Sequence, residues 1–130
     1  MKKEIIKKIR EHLSLRKEIL FAYLYGSFLE GKDFKDIDVG IYLDEEKLTR
    51  IDSIDYEITL SLSLQKEIKI PFDVKIINLA PLSFKYHVTL GYLLFCRDEA
   101  KREEFLCHTW MLYFDFLPAA KNYLKEVLYD

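Results

Sequence analysis

Hydrophobic and polar positions change their spacing several times along the chain, and each spacing predicts an element. Over residues 2–18, Ile5, Ile6, Ile9 and Leu13 fall on one stripe among Lys, Arg and Glu, the pattern of an amphipathic helix covering a sheet. Residues 19–25 are apolar on both faces, as in a central strand. Residues 27–31 read as a short helical turn that Gly31 can end in a left-handed conformation, and 32–35 as a polar loop. A second strand follows over 36–43. Along it Ile37, Val39, Ile41 and Leu43 point to one side, and Asp36 and Asp38 to the other. Asp44, Glu45 and Glu46 supply an N-cap and a negative first turn for a helix over 45–65. There Leu48, Ile51, Ile54, Ile58 and Leu62 keep helical spacing. Ile58, Leu60, Leu62 and Leu64 also alternate with Thr59, Ser61 and Ser63 as in a strand, but so long a continuous pattern favours the helix.

Pro71 leads into a third strand over 72–79, with Phe72, Val74 and Ile76 facing one way and Asp73, Lys75 and Ile77 the other. Pro81 opens a helix over 81–90 that Gly91 can end, and 92–96 is a short fourth strand. Residues 98–129 form a long helix with a core stripe of Phe105, Thr109, Leu112, Phe116, Ala119, Tyr123 and Val127, which Pro118 should kink or interrupt. The elements add up to an α/β (α+β) domain over 1–130. It has a mixed sheet of about four strands, packed helices and a long C-terminal helix.

Composition narrows the class. Half of the 130 residues are apolar and 32% are charged, which suits one soluble globular domain with a real core. The net charge of −2 argues against a nucleic-acid binder held by a broad basic face. Cys96 and Cys107 lack metal-type spacing and read as reduced thiols of a cytoplasmic protein. Alternating charge after Met1 reads as no signal peptide, and no apolar run approaches the roughly 20 residues of a membrane helix.

The chemistry concentrates in YGSFLEGKDFKDIDVGIYL, residues 25–43. Two carboxylates on one face of a strand repel each other unless a cation sits between them, and hard oxygen ligands suit Mg²⁺ or Mn²⁺. Solvated aspartates at a polar turn are the alternative. Asp38 argues against it, because it lies two residues into an apolar strand. Gly26 and Ser27 stand at a strand-to-helix turn, where free backbone N–H groups and a hydroxyl can hold phosphate oxygens. Together these features suggest chemistry on a metal-bound nucleoside triphosphate.

The stretch resembles the G-S-x(n)-D-x-D signature of nucleotidyltransferases of the DNA polymerase β superfamily, in particular the minimal MNT type. The resemblance covers nearly the whole chain. It implies a palm-like sheet, with Mg²⁺, two ions, held by Asp36, Asp38 and Asp73 and carrying ATP. Gly26 and Ser27 would hold the β and γ phosphates, and Asp73 would help deprotonate the acceptor while pyrophosphate leaves. The residue-level alternative for Asp73 is an acid near a strand start, paired with Lys75. Eight residues, Phe28 to Lys35, separate G-S from D-x-D, a shorter connection than is usual in the family. Glu30 stands where relatives often carry a basic residue, and Lys32 and Lys35 lie beside it.

The long helix adds a second apolar stripe of Trp110, Tyr113, Phe114 and Leu117, with Met111 alongside. It reads either as a partner surface or as a helix buried all round. The string YFDFLPAAKNYLKE resembles the C-terminal helix of MNT-type antitoxins, which pair with a HEPN-type RNase toxin. The implied activity is AMP transfer from ATP to a tyrosine hydroxyl of that partner. The alternative is a catalytically degenerate binding module that neutralises a partner by contact alone, and a homo-oligomer is open in either case. Arg102 and His108 form an R-x5-H string, which reads as a charged helix face. His12 and His87 read as surface or boundary residues.

Overall fold

The computed structural model describes the backbone of residues 2–129, and the side chains of that span except 117, 119–121 and 123–129. Along the chain run α1 (Lys2–Ser14), β1 (Ile19–Tyr25), α2 (Ser27–Glu30), β2 (Ile37–Leu43), α3 (Glu45–Leu48) and α4 (Ser53–Ile68). They are followed by β3 (Phe72–Ile76), a 3₁₀ turn (Ile77–Leu79), α5 (Leu82–Thr89), β4 (Tyr92–Cys96) and α6 (Glu99–Tyr129). The sheet has the order β3-β2-β1-β4. β1 is antiparallel to both neighbours, while β2 and β3 are parallel, so the sheet is mixed as the sequence predicts.

The alternation along β2 sorts the helices onto two faces. Ile37, Val39, Ile41 and Leu43 join Phe72, Val74 and Ile76 against Ile9 and Leu13 of α1 and Leu60 and Leu64 of α4. On the other face Phe21 stacks on Tyr42 at 4.7 Å, and Tyr23, Ile77, Val88 and Phe105 close a second cluster under α5 and α6. Gly40 permits that closure. A Cβ there would lie 2.8 Å from Val88 Cγ1 and 2.9 Å from Ile77 Cγ2. β3 is an edge strand, yet its edge is not bare. Val74 N donates to Ser61 Oγ at 3.1 Å and Ile76 N to Glu57 Oε2 at 2.8 Å, so α4 side chains occupy the ladder positions.

Several boundaries differ from the sequence reading, each for a local reason. The first helix stops at Ser14, not 18, because the Arg97 guanidinium takes the carbonyls of Ser14 and Ile19, both at 2.7 Å. The segment 45–65 is two helices. Thr49 caps α3, and Asp52 starts α4 by accepting from Asp55 N at 3.0 Å. β2 begins at Ile37, leaving Asp36 in the preceding loop. β3 ends at Ile76 because Asn78 turns its amide onto Leu43 N and O, both at 2.9 Å, in place of a backbone ladder. α6 runs through Pro118 without interruption.

Two apolar stripes are not where burial was expected. On α4, Ile54, Ile58 and Leu62 are 69%, 53% and 60% exposed, while Leu60 and Leu64 are buried. On α6, Phe105 and Thr109 are buried, but Leu112 and Phe116 face solvent. A helix of 31 residues spans about 46 Å against about 23 Å for a seven-residue strand, so α6 outruns the sheet it covers. Ala119, Tyr123 and Val127 of that stripe lie outside the described side chains.

Candidate active site

Sheet register brings two of the three predicted acids side by side. β1 pairs Tyr25 with Asp38, and β2 pairs Asp38 with Asp73 in parallel register. Adjacent strands lie about 4.8 Å apart, so Asp38 and Asp73 stand side by side at one level of the sheet. Asp36 is exposed, one residue before β2. Burial, followed by the charges of Asp73 and Asp36, holds the Asp38 carboxyl above its ordinary value.

Gly26 brings the strand-to-helix turn against Asp38. Its φ of 85° is left-handed, and a Cβ there would collide with Asp38 Oδ2. The missing side chain therefore lets the Asp38 carboxylate lie directly against the turn. Ser27 opens α2, and Gly31 closes it with φ 77°, as the sequence predicts. Lys32 pairs with Glu30 at 3.3 Å, an exposed and correspondingly weak contact. Asp73 Oδ1 lies 3.7 Å from Lys75 Nζ, so the alternative pairing for Asp73 does form, long and half-exposed.

A family model described as "Polymerase beta, Nucleotidyltransferase" matches residues 7–100, the segment that carries every one of these groups. The chain belongs to this nucleotidyltransferase family. Solved structures agree on the fold. The structure of a tri-AMPylated Shewanella oneidensis HEPN toxin in complex with MNT antitoxin is similar at TM-score 0.73 and 18% identity, covering 98% of this chain and 99% of that one. A toxin–antitoxin structure with AMP-PNP is similar at TM-score 0.74 and 19% identity, covering 95% and 98%. A mutant toxin–antitoxin complex of the same kind gives TM-score 0.75 and 18% identity, covering 95% and 98%. No curated protein matches.

The donor set of this nucleotidyltransferase fits a hard divalent cation. It consists of carboxylate oxygens, and the crowding at Asp38 is of the kind a cation relieves. Among the described residues, no three carboxylate, histidine or cysteine side chains already stand close enough to cage an ion. Asp38 and Asp73 are neighbours by register, with Asp73 turned toward Lys75.

Two residues near the acids escaped sequence reasoning. The Tyr25 phenol is pushed far above its ordinary value by burial, then by Asp38, Asp73 and Glu57. Its ring packs edge-on against Phe84 at 5.6 Å. Glu57 comes from α4, far from the motif in sequence. The period of β1 hints at Tyr25, since Tyr23 and Tyr25 share a face, but nothing local marks Glu57.

Other candidates resolve into structural roles. Arg102 bridges Glu99 at 2.9 Å and the Tyr23 hydroxyl at 2.9 Å, which removes it from any pairing with His108. His12 lies between Glu67 and Ser63 at 3.2 and 3.0 Å. The aromatic stripe of α6 is partly consumed inside the chain. Tyr113 stacks on Tyr86 at 3.9 Å, and Trp110 Nε1 donates to Thr89 Oγ1 at 2.9 Å. Leu117 lies outside the described side chains. Among the described residues, no helix is long and apolar enough to cross a membrane.

Proposed function

We propose that this chain transfers AMP from ATP to a protein hydroxyl, acting in the cytoplasm as an MNT-type antitoxin that silences a HEPN-type toxin. The observation that carries the reading is the close approach of the Asp38 carboxylate to the Gly26 turn, beside its register partner Asp73. Asp36, Asp38 and Asp73 would hold Mg²⁺, which supplies charge neutralisation of the triphosphate when bound. Gly26 and Ser27 receive the β and γ phosphates through backbone N–H groups and the serine hydroxyl. Asp73, on the far side of Asp38 from Gly26, takes the acceptor proton. The acceptor oxygen bonds to the α phosphorus, the bond from that phosphorus to the bridging oxygen breaks, and pyrophosphate leaves. The partner's AMPylation in the similar Shewanella oneidensis complex supports a protein acceptor, and the AMP-PNP structure supports an adenine nucleotide.

Partner contact on α6 rests on what the intramolecular packing leaves free. Met111 is 67% and Phe114 51% exposed, and with Trp110 and Leu106 they line an apolar groove of about 530 Å³. That groove also supports a second reading, neutralisation by contact without chemistry. Asparagine at Asp36, Asp38 or Asp73 separates the two. Under transfer, each variant loses toxin neutralisation in a growth assay and keeps its fold by circular dichroism. If the three variants neutralise as well as the parent while Trp110→Ala does not, contact alone is the function.

A further inference from the structure

The exposed stripe of α4 adjoins the site on one side only. The sheet order puts β1, with Gly26 after it, on one flank of Asp38 and β3, with Asp73, on the other. In-line displacement requires acceptor and leaving pyrophosphate on opposite sides of the α phosphorus. With the phosphates at Gly26, the acceptor must arrive over β3, and beyond β3 lies α4.

That approach is lined for a protein. A groove of about 460 Å³ runs without a break from Ile54, Ile58 and Leu62 on α4 to Asp73 and Lys75 on β3. A second groove of about 380 Å³ shares Ile54, Glu57 and Lys75 and reaches Phe84, which touches Tyr25. The edge N–H groups of Val74 and Ile76 are already taken by Ser61 and Glu57, so an arriving segment cannot add as a strand and must bind by its side chains. The N-terminal end of α4 is acidic, with Asp52, Asp55 and Glu57, and among the described residues none of the three stands in an ion pair. Among the described residues Lys75 is the single cation lining these grooves, so acid outnumbers it, and apolar contacts beside that excess select an apolar segment with basic neighbours.

We propose that the α4 stripe of Ile54, Ile58 and Leu62 docks the acceptor protein, through a segment whose hydroxyl is flanked by apolar and basic side chains. This rests on the transfer reading above and adds where the acceptor binds and what it looks like. The partner surface on α6 is a separate anchor, on a helix that packs against α5 and the other face of the sheet.

Fluorescence anisotropy with a short labelled tyrosine peptide, carrying leucine and arginine flanks, tests the surface without catalysis. The expected result is saturable binding that the double variant Ile58→Ser/Leu62→Ser weakens by about tenfold or more, because two apolar contacts are lost. Exchange of the peptide's arginines for glutamates weakens it likewise, and Leu15→Ser, an exposed apolar position that lines neither groove, leaves it unchanged. Both α4 positions are more than half exposed, so the substitutions do not threaten the fold. Equal affinity in the α4 variant, indifference to peptide charge, or no binding overturns the proposal. So does a dimer in sedimentation that the α4 variant dissolves, since the stripe would then bury itself in a second copy. Label transfer from ATP to the same peptide is a separate readout. Binding that depends on the stripe, with no transfer, leaves the docking surface standing and refutes the adenylyl-transfer reading.

Discussion

Gly26 carries two requirements in one residue. Its left-handed φ of 85° disfavours any side chain, and the space a Cβ would take is held by Asp38 Oδ2. Gly26→Ala should therefore cost about 1–2 kcal/mol of stability from backbone strain alone. It should also displace Asp38 and abolish transfer, which urea unfolding and an adenylylation assay would separate. Retention of full activity would mean that the contact between the turn and Asp38 is not used. The motif residues were legible because G-S and D-x-D are local: one turn and one strand period suffice to place them. Asp73 needed only the inference of a neighbouring strand. Tyr25 and Glu57 were not legible. Tyr25 meets the acids only through the pairing of β1 with β2, and Glu57 only because α4 folds along the edge of β3.

Elements were legible in kind and less so in extent. Period and alternation identify each strand and the longer helices, though α3 and α4 read as one, and the ends depend on distant side chains such as Arg97 at the end of α1 and Asn78 at the end of β3. Orientation was the harder matter on α4. It bears two apolar stripes, one with Leu60 and Leu64 and one with Ile54, Ile58 and Leu62, and helical spacing alone does not say which is buried. One contact that fixes α4 is testable by pH. The Tyr56 hydroxyl donates to Glu18 Oε2 at 2.7 Å, tying α4 to the turn before β1. Burial opposes ionisation of Glu18, but the bond from Tyr56, a backbone bond, Arg16 and Lys47 together hold its carboxyl below the ordinary 4.5. A depressed folded-state value contributes stability above the unfolded-state value, and that stability is lost as pH falls through the folded one. Tyr56→Phe should cost about 1–2 kcal/mol at neutral pH, with the difference from the parent shrinking below the ordinary glutamate range. Urea titrations at neutral and acid pH check this, and a pH-independent difference would contradict it.

At the scale of the molecule, the sheet order organises everything else. The glycine turn, Asp38 and Asp73 fall in order across β1, β2 and β3, so under the proposed transfer nucleotide and acceptor take opposite sides. α6 extends the body with an apolar face that the chain itself only half uses, and α4 offers another beside Asp73. Strand order and parallel register are properties of the assembled sheet. The sequence shows three acids and a glycine turn but not the sides from which ligands enter.

The most direct test of nucleotidyl transfer uses the purified protein with Mg²⁺, a HEPN-type partner, and ATP labelled in separate reactions at the α or the γ phosphate. Transfer of AMP predicts label on the partner from α-labelled ATP, none from γ-labelled ATP, and none from either with Asp38→Asn. Label from the γ phosphate, or α label that survives Asp38→Asn, would contradict the account.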